Sequence, residues 1–168
     1  MMTYSLELWE CFGASVSGVL HQRENRANED AWETRKTRLT QTVVGSGGLG
    51  SQSIARLGAK MACKAVNEAL KYWAKAPDAP PAYLLRLIHL HWGLRVLPYT
   101  EKDSATTCLF ATVLASGKLV LGQLGDGMVA LREPDGTVTR LDTVKEGFGN
   151  ETTGLGVTRS TKDWSIMT

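Results

Sequence analysis

The chain has 168 residues, enough for one domain with a sizeable core, and 19 Lys and Arg against 17 Asp and Glu leave a net charge of +2. That balance argues against a nucleic-acid groove or an anionic membrane surface as the expected partner. At 43% hydrophobic and 21% charged residues the composition excludes wholesale disorder and a coiled coil. No apolar run reaches the roughly 18 residues that span a bilayer. The first residues, MMTYSLELWECFG, carry acids and lack a basic stretch ahead of an apolar one, so they do not read as a secretory signal. Cys11, Cys63 and Cys108 are scattered without zinc spacing and fit buried thiols in a reducing cytoplasm.

In chain order, Phe12 to Leu20 reads as a strand and the polar stretch Gln22 to Asn28 as a loop. Ala31 to Glu33 and Arg38 to Gly45 read as two further strands, followed by a glycine-dense turn, Gly45 to Ser51. From there the period changes. Ile54, Leu57, Met61, Ala65, Ala69 and Trp73 recur every three or four residues, as on an amphipathic helix. The stretch Lys75 to Pro81 breaks the pattern, and Pro80-Pro81 can open a second helix, Ala82 to about Val96, with Leu84, Leu87, Ile88 and His91 on its stripe. Ala105 to Leu114, Leu119 to Leu124, Met128 to Arg132 and Thr137 to Leu141 read as an antiparallel meander with turns at Ala115–Lys118 and Pro134–Gly136. Gly147 onward is loop-like until Asp163 to Met167, the beginning of another strand. Helices followed by a meander argue for one α+β domain over residues 1–168, with helices covering a sheet.

Four segments carry chemistry, and each has a plainer reading. Arg26-Ala-Asn-Glu-Asp30 sets two carboxylates and a guanidinium beside a strand start, which suits a hard cation and a phosphate, or simply a solvated loop. Gly45, Gly47 and Gly50 spell G-x-G-x-x-G between a strand and a helix, a setting for a dinucleotide phosphate. A Rossmann unit needs a parallel strand soon after that helix, and a second helix follows instead. Gly125-Asp126-Gly127 is either a carboxylate aimed at a sheet edge or an ordinary hairpin turn. Gly147 to Gly156 is a Gly/Thr-rich loop. His89 and His91 lie two apart on a helix and diverge, and Trp9, Trp32, Trp73, Trp92 and Trp164 read as core or core rim.

Taken in order, these segments resemble the PP2C (PPM) family of metal-dependent serine/threonine protein phosphatases in its compact bacterial form, from Gly13 to Trp164. The matching motifs are Gly13–Gly18, Arg26–Asp30, the glycine turn, Gly58-Ala59, Ser104-Ala-Thr-Thr107, Leu124–Gly127 and Asn150–Gly156. The resemblance implies an α/β/β/α sandwich of antiparallel sheets covered by helices. It also implies two Mn²⁺ or Mg²⁺ ions that activate a water against a phosphoserine or phosphothreonine protein, the product of a cognate Ser/Thr kinase. By the same carry-over Arg26 holds the phosphate, Glu29 and Asp30 bind metal or its waters, Gly48 offers its carbonyl, and Asp126 helps hold a third metal.

Two departures follow. The D-G-x-G turn reads Gly47-Gly-Leu-Gly50, so the bridging aspartate is a glycine. The family's two later aspartates and its final strands fall beyond Thr168, so the sandwich is expected to be incomplete at that end, with an open sheet edge. The resemblance therefore implies an impaired phosphatase. A phosphopeptide-binding pseudophosphatase is the first alternative, and a nucleotide-binding protein using Gly45–Gly50 the second. Leu49 stands where some relatives carry a proton-donating histidine.

Overall fold

The computed structural model describes residues 6–50, 52–76, 78–142 and 152–168. Ser51, Pro77 and the first five residues of the Gly147–Gly156 loop lie outside them. In chain order the elements are α1 (Val19–Arg23), β1 (Asp30–Lys36), β2 (Thr40–Gly47), α2 (Gln52–Trp73), α3 (Pro81–Val96), β3 (Cys108–Leu114), β4 (Leu119–Leu124), β5 (Ala130–Arg132), β6 (Val138–Arg140) and β7 (Ser165–Met167).

Five strands form one sheet in the order β1-β2-β3-β4-β7, with every neighbouring pair antiparallel. Alternation sets its two faces. Val44, Cys108, Phe110, Val120 and Leu124 face α2 and α3 and are sealed from water. Asp30, Gly47 and Leu109 take the opposite face by the same alternation. Gly122 stands opposite Phe110 across β3–β4, and a Cβ there would lie 2.3 Å from the ring. The glycine makes room for the aromatic.

Helix α2 forms where small and apolar residues recur at helical spacing. Ala55, Ala59, Ala62, Val66, Ala69, Leu70 and Trp73 are all buried. It packs on β1, β2 and β3 and against α3. Pro81 opens α3 at its first turn, where a missing N–H costs nothing. The buried face of α3 is Leu84, Leu85, Ile88, Trp92 and Val96, whereas Leu87 and His91 are half-buried. Apolar residues surround this helix, so periodicity alone does not fix its face. His91 instead stacks on Tyr72 at a centroid distance of 5.7 Å.

Three elements differ from the sequence reading. Phe12 to Leu20 is no strand: it runs irregularly into α1, with Phe12 88% and Val16 80% exposed. Strand propensity without a partner ladder does not hold a strand. Side-chain bonds tether the segment instead, from Gln41 Nε2 to the Trp9 carbonyl (2.7 Å) and from Asn28 Nδ2 to Ser15 Oγ (2.7 Å). The meander also breaks after β4, because among the described residues β5 and β6 pair with each other alone and β7 takes the place beside β4. The glycine turn starts at Gly48, since β2 continues through Gly47. The expected α+β architecture stands: a helical layer on one antiparallel sheet, with the β5–β6 ribbon beside it.

Candidate metal and phosphate site

Antiparallel pairing brings the ends of four strands together. Asp30 begins β1 and pairs with Gly47 at the end of β2. Thr107 immediately precedes β3, and Gly125-Asp126 immediately follows β4. All lie at one end of the sheet.

The contacts there are specific. Asn28 Oδ1 accepts the Asp30 amide at 3.0 Å and fixes the entry to β1. Thr107 Oγ1 accepts the Gly47 amide at 2.9 Å, while the Thr107 amide donates to the Gly47 carbonyl at 2.9 Å. Thr106 Oγ1 donates to the same carbonyl at 2.9 Å and lies 2.6 Å from Ser46 Oγ. Gly125 holds φ +115°, a conformation that favours glycine, and a Cβ there would fall 2.6 Å from Thr107 Cγ2. Asp126 Oδ2 accepts from Thr152 Oγ1 at 3.3 Å. The Thr152–Gly156 segment folds back here, and Leu155 and Thr106 exchange backbone bonds at 2.8 and 3.0 Å.

Position 47 shows what its side chain would meet. An ideal Cβ built there lies 3.1 Å from Asp30 Oδ1 and 3.4 Å from Thr107 Oγ1. Gly48 is held tight: its Cβ would stand 2.8 Å from Ala55 Cβ, in the first turn of α2, and 3.2 Å from Glu29 Cβ. Gly48 thus joins the opening of α2 to Glu29, and the helix dipole favours negative charge at that end. Glu29 turns towards Arg26, with Nη2 to Oε1 at 3.5 Å, and Arg26 Nη1 lies 3.6 Å from Glu24 Oε2. Arg26 Nε is buried without a hydrogen-bond partner among the described residues. Beside the turn, Leu49, Gly50, Lys102, Asp103, Thr152 and Val157 line an open cavity of about 530 Å³.

The structure therefore brings Arg26, Glu29, Asp30, Gly47, Gly48 and Asp126 to one end of the molecule. Thr107 and Thr152 join them, hydroxyls to which the sequence motifs assigned no role. Among the described residues no three His, Cys, Asp or Glu side chains gather closely enough to hold a metal ion. Asp30, the Gly48 carbonyl and Asp126 do not fit a tightly held pair of dications, which need several anionic oxygens around and between them. Glycine at 47 contributes no side-chain oxygen to this set.

Fold and site together define an antiparallel α+β domain that collects acidic groups at a sheet end, and its antiparallel strand pairs leave no place for a Rossmann β-α-β unit. The sequence matches the family Protein phosphatase 2C over residues 17–168, and the chain belongs to that family. No curated protein matches it. Among solved structures it resembles the PP2C phosphatase domain, with a fragment of the regulatory domain, of the cell fate determinant SpoIIE from Bacillus subtilis. That likeness has a TM-score of 0.51 at 12% identity and covers 83% of this chain but 36% of the other. At that identity it speaks for the fold. Among the described residues no helix is long and apolar enough to cross a membrane.

Proposed function

We propose that this chain is a phosphoprotein-directed member of its family whose metal-dependent hydrolysis is impaired by glycine at position 47. One observation supports the reading: an ideal Cβ built at Gly47 falls 3.1 Å from Asp30 Oδ1, so a carboxylate at 47 would stand beside that of Asp30, and glycine supplies none. The substrate class is a phosphoserine or phosphothreonine protein, with a Ser/Thr kinase as the source of the phosphate. The reducing cytoplasm is the proposed compartment, in keeping with three free cysteines.

The chain's own groups have definable roles. Arg26 carries a planar guanidinium suited to two phosphate oxygens. Its ion pairs with Glu24 and Glu29, at 3.6 and 3.5 Å, are long enough for a phosphate to compete. The Thr107 hydroxyl fixes the β2 terminus, and Thr152 orients the Asp126 carboxylate. The cavity beside Leu49 offers Lys102 and Asp103 to residues flanking the phosphate.

Turnover of an aryl phosphate with Mn²⁺ tests the impairment, and the expected result is little or none. Rates typical of an active metal-dependent phosphatase, on the order of 1–10 s⁻¹ or more, would overturn it. The Arg26 Nε, buried without a hydrogen-bond partner among the described residues, favours a second reading, phosphopeptide binding without metal. Arg26→Ala is then expected to abolish metal-free binding of a phosphoserine peptide; equal affinity of the variant would remove this reading.

A further inference from the structure

A second cavity, of about 300 Å³, lies at the opposite end of the sheet, between the β1–β2 turn and the last turns of α2. Its floor is apolar, made by Leu39, Leu70 and Ala74. Its rim is Arg35 and Arg38 from the turn side and Lys71 and Lys75 from the helix. Among the described residues no acidic side chain lines it, and Asn67, its polar wall, gives its amide hydrogen to Glu33 Oε1 at 3.3 Å. The seven residues of β1 put this cavity roughly 20 Å from the Asp30 end.

The chain's net charge is only +2, so four cations around one slot are a local concentration rather than a sample of the whole surface. Close packing of like charges around a hollow costs free energy unless an anion relieves it. The floor adds a second requirement. Thr37 and Thr40 also line it, but their hydroxyls lie 3.1 Å apart and Thr37 Oγ1 accepts the Leu39 and Thr40 amides, so they serve the β1–β2 turn; leucine and alanine offer a bare phosphate or polyphosphate no donor. The complement is a molecule with an apolar body and carboxylates around it. The volume suits one large side chain, the usual anchor of a protein contact.

We propose that this cavity is a docking site for an acidic peptide segment of a partner protein, one that seats an aromatic or large aliphatic side chain on Leu39, Leu70 and Ala74. Flanking Asp or Glu residues meet Arg35, Arg38, Lys71 and Lys75. Charge complementarity sets the approach and the apolar anchor sets the affinity. The site does not depend on phosphate recognition at the other end.

The test is fluorescence anisotropy of the full chain with a labelled peptide that places one phenylalanine between glutamates. Micromolar binding is expected, weakened about tenfold or more when Arg38→Glu and Lys71→Glu, both at exposed positions, are combined. Replacing the peptide's phenylalanine by glycine should weaken it by a similar factor, a control that leaves the fold untouched. Arg26→Ala should leave it unchanged. Equal binding of the glycine peptide would reduce the site to unspecific charge and overturn the proposal. So would indifference to the charge reversals. Binding to phosphatidylserine vesicles without binding to the peptide would assign the basic rim to a membrane surface instead.

Discussion

An aspartate at position 47 would place its Cβ 3.1 Å from Asp30 Oδ1, so Asp30 would have to move a few tenths of an ångström. Two carboxylates directly across a strand pair repel, by about 1 kcal/mol in the absence of a cation. The Gly47→Asp variant is therefore expected to melt lower than the parent in chelator and to recover with Mn²⁺, as calorimetry can record. His89 defines a second prediction. Burial pushes its pKa below the ordinary 6.5, more than the nearby Glu101 and Asp163 carboxylates raise it. Its Nε2 accepts from Trp164 Nε1 at 2.9 Å, which requires that nitrogen unprotonated. The unfolded chain takes up the proton first, so stability is full above the ordinary value and falls as pH drops through it. A melting series from neutral to about pH 5.5 should show the loss, and His89→Gln should flatten it.

Helix α2 connects the two ends of the molecule, and its seat on the sheet depends on close approaches. A Cβ at Gly58 would lie 1.8 Å from the Ser104 carbonyl oxygen, which is backbone and cannot swing away. Trp92 Nε1 donates to the Gly58 carbonyl at 3.0 Å and ties α3 to the same turn. Gly58→Ala is expected to cost about 2 kcal/mol or more by overpacking, and urea unfolding would measure it. The Gly58-Ala59 pair was legible as a motif, and α2 was legible from its period. What the local pattern did not contain was strand partnership. Phe12 to Leu20 has the composition of a strand and pairs with none of the described strands, while Ser165–Met167 is short yet pairs with β4. Pairing depends on distant residues, so a window of sequence cannot report it.

At the scale of the whole molecule, sheet topology brings scattered motifs to one end of the sheet. Arg26–Asp30, Gly47-Gly48 and Gly125-Asp126 were each readable as ordinary loops, and only their order along the chain suggested a common purpose. Antiparallel pairing then set them at one end of the sheet. The basic cavity at the other end was not legible, because its cations come from a hairpin and a helix end and vanish in a balanced total. The core between the ends shields two thiols. Burial raises Cys63 to about 12 and Cys108 well above its ordinary value, so neither forms a reactive thiolate near neutral pH. Iodoacetamide should label Cys11 alone in the folded protein, and all three cysteines after denaturation; mass spectrometry of the native reaction would show any failure of this core.

The most direct measurement is a calorimetric titration of Mn²⁺ into the chain and into Gly47→Asp, side by side. Asp30, the Gly48 carbonyl and Asp126 alone predict weak binding in the first, and tighter binding with more ions held in the second. Two tightly bound Mn²⁺ ions in the unaltered chain, with no gain from the aspartate, would contradict the claim that residue 47 is the missing donor.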